Sequence, residues 1–501
     1  MKFLQINDVS RQLNVQGHWY LLDSPDNEIT PARPNFPGMM RFQADGEARL
    51  SIIGSCGADY TLRRKRIPAV VGRCCSQSGT PQEKCFDGWA SIFDAWGGSF
   101  GNITCPAVMK SDFTFSDVWF GSSPLCRKSD ACFDSVNFGI NNLEHLLFSN
   151  HFRTNWEPSA KKLSIECTIP KDLILFENSE VRITISFICD GGSWTLVQLD
   201  SALHEYVRVE IEALKGPMTF YGKTKSYEYY INAISSLLGL MIFNRAYIFD
   251  VRGKKRNKDS NPQWFFRRWR RAIPPSSAST QAYLRCLFPI VSENQKCRRI
   301  VEEYIRKYDS IKHDVDTIIQ LKNGTQTLTI KSLADLLFAF EGLSNHLCKA
   351  ENAAYVESLR DNENHKKIRD DILSRCTEEQ VKWIGHRLDI NATFAVKLRV
   401  ATQLLKPFFA ILGDDKLTDK LISYYRDSRN GTAHSLSHTD INIDFYVSSI
   451  EWLAMFMVSL ILNRLSLDGD TLQGCLKAWE HTLSGLEETI KDGLQDHSSK
   501  R

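Results

Sequence analysis

The chain has 501 residues, which is enough for two or three domains with hydrophobic cores. Hydrophobic residues make up 43% of it and charged residues 24%, values that are typical of a globular protein and exclude a disordered chain. The formal net charge is only +3, so global charge does not indicate a nucleic-acid binder and any basic surface must be local.

The beginning of the chain and its cysteines favour a cytoplasmic protein. Residues 1–8 lack the apolar segment of a signal peptide. The 14 cysteines are spread over the whole length, and without a secretory signal free thiols in a reducing compartment are expected. The most apolar window, residues 452–462, is shorter than the about 20 residues that a bilayer requires. It predicts a buried helix, and no membrane partner is expected.

Residues 1–220 favour β-structure. Alternating or β-branched runs recur, separated by turn clusters of Gly, Pro, Asn and Asp. The clearest runs are residues 48–53, 112–115, 181–187 and 206–211. Many short strands with such punctuation predict a sandwich or a barrel-like domain.

The hydrophobic period changes near Tyr227. Ile231, Ile234, Leu237, Leu238 and Met241 follow helical spacing. A polar, proline-bearing stretch from about Lys254 to Ser279 follows, and we interpret it as a linker or protruding loop. Residues 221–300 are therefore predicted to form a helix and a basic linker.

Residues 301–495 are predicted to be helical throughout, because apolar stripes at helical spacing follow one another. The stripes lie at residues 333–347, 395–408, 417–425 and 452–462, and a last amphipathic segment covers about 470–490. The fold class is thus α+β with several domains: an N-terminal β-rich sandwich or barrel-like domain, then an all-α bundle.

One motif near the end of the third stripe could carry chemistry. It reads Arg429-Asn430-x-x-x-His434. A histidine can take a proton from a ribose 2′-OH, and a cation with a neighbouring donor can stabilise a phosphate. These groups would suffice for RNA cleavage without a metal or another cofactor.

Helix geometry limits how the motif could act. Arg429 continues the stripe that holds Tyr425, so it is expected to face inward and to need an anionic partner. Residues five apart on a helix point about 140° apart. Arg429 and His434 would therefore converge only if the helix ended or kinked at Asn430-Gly431-Thr432, which the glycine and asparagine favour.

The spacing alone is weak evidence. A hit of this length occurs about once by chance in such a chain. The alternative is an Asn-Gly helix terminus followed by an incidental surface histidine.

A resemblance strengthens the first interpretation. RNGTAH (429–434), on an apolar helix and followed by a second apolar helix, resembles the HEPN superfamily. GHWYLLDSPDNEI (17–29), MMRFQADGEARLSIIGS (39–55) and NITCPAVMKSDFTF (102–115) are similar to the N-terminal domain of ApeA-type anti-phage proteins. SLADLLFAFEGLSNH (332–346) resembles that family's glutamate-bearing helix. The basic stretch at 254–271 and the cysteine-rich part around Cys74, Cys75 and Cys85 fit less well.

The resemblance implies a HEPN-like helical bundle that acts as a metal-independent endoribonuclease in abortive-infection defence. His434 would transfer protons and Arg429 would stabilise the scissile phosphate. Asn430 would orient either His434 or the phosphate. HEPN domains commonly pair, so a homodimer with a composite site is expected. The β-domain would respond to a phage-derived trigger. The RNA, tRNA or another cellular RNA, stays open.

Glu341 has two interpretations. It lies at the edge of its apolar stripe, where it could be the anionic partner of Arg429 or an ordinary exposed glutamate.

The basic stretch also has two interpretations. Its cations alternate with aromatic residues, a pattern that suits single-stranded RNA, so RNA binding is a secondary hypothesis. The alternative is a solvated loop whose aromatic residues are packed. The cations concerned are Lys254, Lys255, Arg256, Arg267, Arg268, Arg270 and Arg271.

Two further candidates carry less weight. A zinc site among the N-terminal cysteines is conceivable, but no C-x-x-C pair occurs in the chain. His438, four residues after His434, is interpreted as a spectator or an auxiliary group. The rival to the nuclease is a non-catalytic dimeric sensor or binding protein in which the bundle and its Arg and His are structural.

Overall fold

Runs of alternating and β-branched residues in the first part of the chain form strands, and the patterns with a 3.6-residue period form helices. The computed structural model describes residues 13–22, 29, 35–42, 48–53, 66–75, 87–102, 109–140, 143, 152–157, 162–167, 171–190, 204–241, 246, 248–256, 263–267, 294–322, 330–381, 392–406, 415–434, 443–465 and 484–494. Two compact units emerge: a β-rich unit, Met1–Ser235 with Ala246–Ser276, and a helical unit, Ser236–Arg245 with Ser277–Arg501.

The strands of the β-rich unit include all four of the runs singled out in the sequence. Their bounds are β1 Leu13–Leu22, β2 Phe36–Phe42, β3 Ala48–Ile53, β4 Arg66–Cys75, β5 Asp87–Asn102, β6 Met109–Thr114, β7 Asp117–Gly121, β8 Cys132–Phe133, β9 Ser135–Ile140, β10 Phe152–Glu157, β11 Lys162–Cys167, β12 Leu173–Glu177, β13 Val181–Asp190, β14 His204–Ala213, β15 Met218–Thr219, β16 Ile248–Lys254 and β17 Gln263–Arg267. The predicted runs lie in β3, β6, β13 and β14.

Six of these strands close into a barrel. Their order is β5-β4-β1-β2-β3-β6, and β6 pairs back onto β5, with every pairing antiparallel. The interior is filled by side chains that point to one face of each strand, among them Trp19, Met40, Leu50, Ile92 and Phe113. Closure leaves no free edge on these strands, and the prediction of a barrel-like domain is confirmed.

Strand β5 makes this closure possible because it changes neighbours along its length. It pairs with β7 up to Phe93 and with β6 from Trp96 onward. Asp94 lies between the two pairings with φ of 55°, a conformation that aspartate tolerates better than most residues. Its carboxylate is 2.7 Å from the guanidinium of Arg66 and also contacts Lys128. The bend in β5 is therefore held by a residue suited to it.

The predicted linker is wrong in one part. Residues 263–267, inside the stretch from Lys254 to Ser279, form strand β17, which pairs with β16 on one side and β7 on the other. The aromatic residues Trp264, Phe265 and Phe266 favour a strand, and two neighbouring strands supply its backbone partners. The charges and prolines around these aromatic residues are typical of a loop, which is why the sequence did not predict the strand.

The helical unit contains most of the described helices. Their bounds are α1 Tyr227–Met241, which begins within the β-rich unit, then α2 Asn294–Lys322, α3 Ile330–Leu347, α4 Lys349–Arg360, α5 Glu363–Ser374, α6 Phe394–Leu404, α7 Asp415–His434 and α8 Ile443–Arg464. A further helix covers residues 484–494. The stripes predicted from the sequence fall in α1, α3, α6, α7 and α8, which confirms the all-α assignment of this part of the chain.

Helix α8 forms the centre of the helical unit. Its 22 residues would be long and apolar enough to cross a bilayer by length and composition, but 83% of its most apolar window is buried inside the protein. The ring of Phe456 lies 6.0 Å from that of Phe340 in α3. Trp452 stacks 6.5 Å from Tyr425 in α7. The prediction of a buried helix is confirmed, and α3 and α7 are both positioned against it.

Candidate active site

The whole Arg429-Asn430-x-x-x-His434 motif lies on helix α7. This helix runs without interruption from Asp415 to His434. The break expected at Asn430-Gly431-Thr432 is therefore wrong. A glycine inside a helix costs only about 1 kcal/mol relative to alanine, which tertiary packing readily overrides. The helical positions of Arg429 and His434 remain about 140° apart, so one copy of the motif does not bring its two ends to one point.

Tyr425 fixes the orientation of the helix that carries Arg429. Its ring is 1% exposed, and its hydroxyl donates a hydrogen bond of 2.8 Å to the carbonyl of Ser449 in α8. Arg429 follows one turn later, so it lies on nearly the same face. Its side chain is 31% exposed, which places the guanidinium at the border between the core and solvent. The expectation that Arg429 faces inward is met only in part.

Glu341 of α3 pairs with Arg429. The distance between Arg429 Nη2 and Glu341 Oε2 is 3.2 Å. Of the two interpretations of Glu341, the ion pair is thus the one that is present. Whether the pair serves activity is a separate question.

A third helix contributes a residue that the sequence analysis missed. Lys397 of α6 places Nζ 2.8 Å from Glu341 Oε1, so each carboxylate oxygen accepts from a different cation. The lysine side chain is only 8% exposed. Its position offered a signal, because Lys397 lies at helical spacing from Phe394 and Ala401 in an apolar stripe. A lysine on a buried face needs an anionic partner.

The electrostatics of this cluster favour an ionised glutamate. Partial burial disfavours its charge, but the hydrogen bonds and charges of Lys397 and Arg429 outweigh burial and lower the pKa of Glu341. Among the described residues one carboxylate faces two cations at ion-pair distance, so these three side chains together carry an excess positive charge. Arg429, the more exposed of the two, is the cation that an external anion could reach.

Two further features describe the surroundings of the Arg429 guanidinium. Among the described residues its Nε is buried and has no hydrogen-bond partner. Its guanidinium carbon lies 5.8 Å from the centre of the Phe338 ring, within the range of a cation–π contact. A phosphate has the geometry to accept from such a guanidinium fork.

The other two residues of the motif are less fully determined. Asn430 is exposed on α7, one helical position after Arg429. His434 is the last residue of that helix, and its side chain lies outside the described residues. The structure therefore brings Arg429 together with Glu341, whereas the roles of Asn430 and His434 stay predictions. His438 also lies outside the described residues.

The basic stretch predicted to bind RNA is partly paired with acids. Lys254 Nζ lies 4.0 Å from Glu210, and the Arg256 guanidinium lies 3.8 Å from Asp134 and 3.7 Å from Glu212. Lys255 is exposed, and Arg267 ends strand β17. Arg268, Arg270 and Arg271 lie outside the described residues. RNA binding by this stretch stays a prediction.

The cysteines form no metal cluster in the part of the chain that the structure describes. Cys74 is buried, Cys126 and Cys132 are partly buried, and no group of three metal-ligating side chains occurs among the described residues. Cys85 and Cys105 fall outside this part.

Fold and cluster together define a class of protein: a β-barrel region followed by a helical bundle in which Arg, Glu and Lys meet from three helices. The chain belongs to the ApeA family. The model of ApeA N-terminal domain 1 matches residues 14–304, more than half of the chain, and that of the Apea-like HEPN domain matches residues 336–471. This is a family of anti-phage defence nucleases, and its HEPN domain is usually a ribonuclease. No curated protein and no solved structure matches the chain.

Proposed function

We propose that the protein is a metal-independent endoribonuclease of abortive-infection defence, with Arg429, Asn430 and His434 as its catalytic residues. The observation that supports it best is the excess positive charge at Arg429, within the residues that match the HEPN domain. The Arg429 side chain is 31% exposed, so its guanidinium can present N–H groups to a phosphodiester. Glu341 is the supporting residue that holds Arg429 in place.

The reaction is a transesterification followed by release of the second product. His434 removes the proton from a ribose 2′-OH, and the oxygen attacks the adjacent phosphorus. Arg429 stabilises the charge that develops on the phosphate, and Asn430 orients the phosphate or the histidine. The bond to the 5′-oxygen breaks, and this oxygen takes up a proton. The products are a 2′,3′-cyclic phosphate and a 5′-hydroxyl, so DNA is not a substrate.

A second copy of the chain completes the site in this proposal. Arg429 and His434 diverge on one continuous helix, so an arginine of one copy would act with a histidine of the other. The chain is then a homodimer through its helical unit. A phage-derived trigger acting on the β-rich unit would control it.

The activity is tested with the purified full chain, total RNA and EDTA. Wild type is expected to give fragments ending in cyclic phosphate, and His434→Ala none. Equal cleavage by both proteins, or loss of cleavage on adding EDTA, would refute the proposal. Growth arrest on overexpression, abolished in His434→Ala, reports the same activity inside the cell.

A mixing experiment tests the shared site. Co-expressed Arg429→Ala and His434→Ala chains form mixed dimers in which one of two composite sites is intact. With random pairing, about a quarter of wild-type activity is expected. Each variant alone would be inactive, and a site confined to one chain would give no recovery.

The rival is a non-catalytic sensor or binding protein. The ion pair between Arg429 and Glu341 is the observation that favours it, since such a pair can be purely structural. It predicts that neither wild type nor any variant cuts RNA while dimerisation persists.

A further inference from the structure

A cavity of about 340 Å³ lies between α2 and α3, beside the Arg429 cluster but not part of it. Its size is within the range of small-molecule sites in proteins. Polar groups line it, among them Asp314, Thr317 and Gln320 of α2 and Asp335 of α3. The aromatic ring of Phe338 forms part of the same wall.

Phe338 connects this cavity with the proposed catalytic arginine. The side chain lines the cavity, and its ring centre lies 5.8 Å from the Arg429 guanidinium carbon. It is nevertheless 49% exposed, one of few large apolar side chains left open in the described part of the chain. An exposed aromatic ring beside a partly exposed cation is an arrangement on which single-stranded bases can stack.

The polar wall suits the edge of a nucleobase. Carboxylates accept from imino and amino groups, and the Gln320 amide can both donate and accept. The Thr317 hydroxyl donates to the carbonyl of His313 and keeps acceptor capacity. Partial burial raises the pKa of Asp314 to about 6, against the opposing charges of His313 and His346. That carboxyl can therefore either accept or donate a hydrogen bond near neutral pH.

The position of Asp314 depends on a glycine in the facing helix. A Cβ added to Gly342 of α3 would lie 2.6 Å from Asp314 Oδ2, too close for any real contact. The absence of a side chain at Gly342 therefore lets this carboxylate lie against α3 at the cavity.

We propose that the cavity binds one base of the single-stranded RNA substrate, which stacks on Phe338 while a phosphate of the same nucleotide lies at Arg429. This inference rests on the proposed ribonuclease function and adds a positioning site to it. Guanine is the preferred base, because the adjacent N1–H and N2–H₂ donors match the two oxygens of a carboxylate such as Asp335. Uracil presents a single donor between two acceptors. A base within a duplex would not offer its face to the ring.

Binding is measured with 2′-O-methyl oligonucleotides, which cannot be cleaved by attack of the 2′-oxygen. Fluorescein-labelled hexamers of uridine with one central G, A, C or U are titrated with the full chain, and anisotropy gives Kd. Phe338→Ala should weaken binding of the G hexamer about tenfold or more, as expected for loss of one stacked base. Phe338→Trp should retain it.

Two further variants make the assignment specific. Ile368→Ala removes another exposed apolar side chain, 61% exposed on α5, and should leave Kd unchanged. Asp335→Asn should reduce the preference for G over U while Phe338 still supports stacking. Circular dichroism confirms that each variant is folded.

Several results would overturn the proposal. They are no binding by wild type, equal Kd for wild type and Phe338→Ala, or a loss that Phe338→Trp does not restore. Weaker self-association of Phe338→Ala with unchanged oligonucleotide binding would assign the surface to a second copy instead. Because the probes are not cleaved, the base site is tested separately from the activity: a protein that binds through Phe338 but cuts RNA equally well as wild type and as His434→Ala would refute the proposed catalytic motif and leave the base site standing.

Discussion

Two groups of cations, one in each unit of the chain, differ in how many carboxylates they face. In the helical unit Lys397 and Arg429 share the single carboxylate of Glu341. In the β-rich unit Lys254 faces Glu210, and Arg256 faces both Asp134 and Glu212. Among the described residues the first group has more cations than acidic partners. In the second group Lys254 and Arg256 each have at least one acidic partner, although Glu212 is shared with Arg182.

This difference shows that a run of basic residues does not by itself locate an anion-binding site. The stretch after Arg252 is the most conspicuous basic feature of the sequence, whereas the lysine and arginine of the helical unit are dispersed. What matters is the number of acidic partners within ion-pair distance. We therefore expect substitutions of the helical-unit cations to reduce RNA cleavage and RNA binding more strongly than substitutions around Lys254.

The largest effect is expected for Arg429→Ala. Loss of a cation that stabilises developing phosphate charge should lower RNA cleavage about 100- to 1,000-fold. Arg426→Ala is the matched control, because Arg426 lies on the same helix, 47% exposed and paired with Asp427. Rates are compared under single-turnover conditions. An equal loss in the two variants would contradict a specific role for Arg429.

The next effect concerns stability. Glu341→Gln leaves a buried lysine and a half-buried arginine without their anion, so the free energy of unfolding should fall by about 1–3 kcal/mol, less than for a fully buried pair. Lys254→Met breaks an exposed pair and should change it by less than about 0.5 kcal/mol. Urea unfolding followed by helical circular dichroism measures both.

The pH dependence of that stability follows from the lowered pKa of Glu341. A group whose pKa is lower in the folded than in the unfolded state stabilises the folded protein at pH values above the unfolded pKa. This contribution is lost as the pH falls through the folded pKa. Glu341→Gln and wild type should therefore converge in acid. A constant difference down to the acid transition would argue against the ion pair as the cause.

Asp314 should behave in the opposite sense. Its folded pKa, about 6, lies above the usual aspartate value of 3.8. Its stabilising contribution is therefore present below the unfolded pKa and lost as pH rises through 6. The free energy of unfolding of Asp314→Asn, relative to that of wild type, should therefore rise by about 1–2 kcal/mol between acid and pH 8, after allowance for solvent screening. Asp309→Asn on the same helix, 52% exposed, is the matched control for removal of a carboxylate from α2.

The smallest effect is expected in the salt dependence of oligonucleotide binding. Arg429→Ala should reduce the slope of log Kd against log salt by about 0.7, the value for one phosphate contact on a single strand. The double variant Lys254→Gln with Arg256→Gln should leave the slope unchanged. A larger change in the double variant would transfer the RNA-binding role to the β-rich unit and reverse the comparison.

The sequence predicted the two parts of the fold because each has a clear period. Alternation identified the runs in β3 and β13, and apolar stripes identified α3, α7 and α8. Barrel closure was less accessible, since it depends on β5 pairing with both β6 and β7, a long-range choice that no local pattern encodes. Strand β17 was missed because neighbouring charges masked its three aromatic residues.

At the candidate site the sequence offered the pairing of Arg429 with Glu341, 88 residues away, as one of two interpretations of that glutamate, and the structure contains the pair. It did not identify Lys397, because the apolar stripe was followed through its apolar members alone. The expected break at Gly431 was wrong, because the local helix preference of glycine is weak compared with tertiary packing. The cavity beside the exposed ring of Phe338 forms where α2 and α3 meet. The periodicity of a single helix cannot predict such a contact.

The central position of α8 has a consequence for the order in which parts of the chain can fold during synthesis. Glu341, Lys397 and Arg429 all precede α8 on the ribosome, yet α3 and α7 rest on Phe456, Trp452 and the carbonyl of Ser449. Domains generally fold as units during synthesis, with the N-terminal one first. The barrel strands can pair while translation continues, but the two helices lack their support until residue 464 has emerged. A nascent chain would thus hold a folded β-rich unit before it holds an assembled arginine cluster, so the candidate site is completed only late in synthesis.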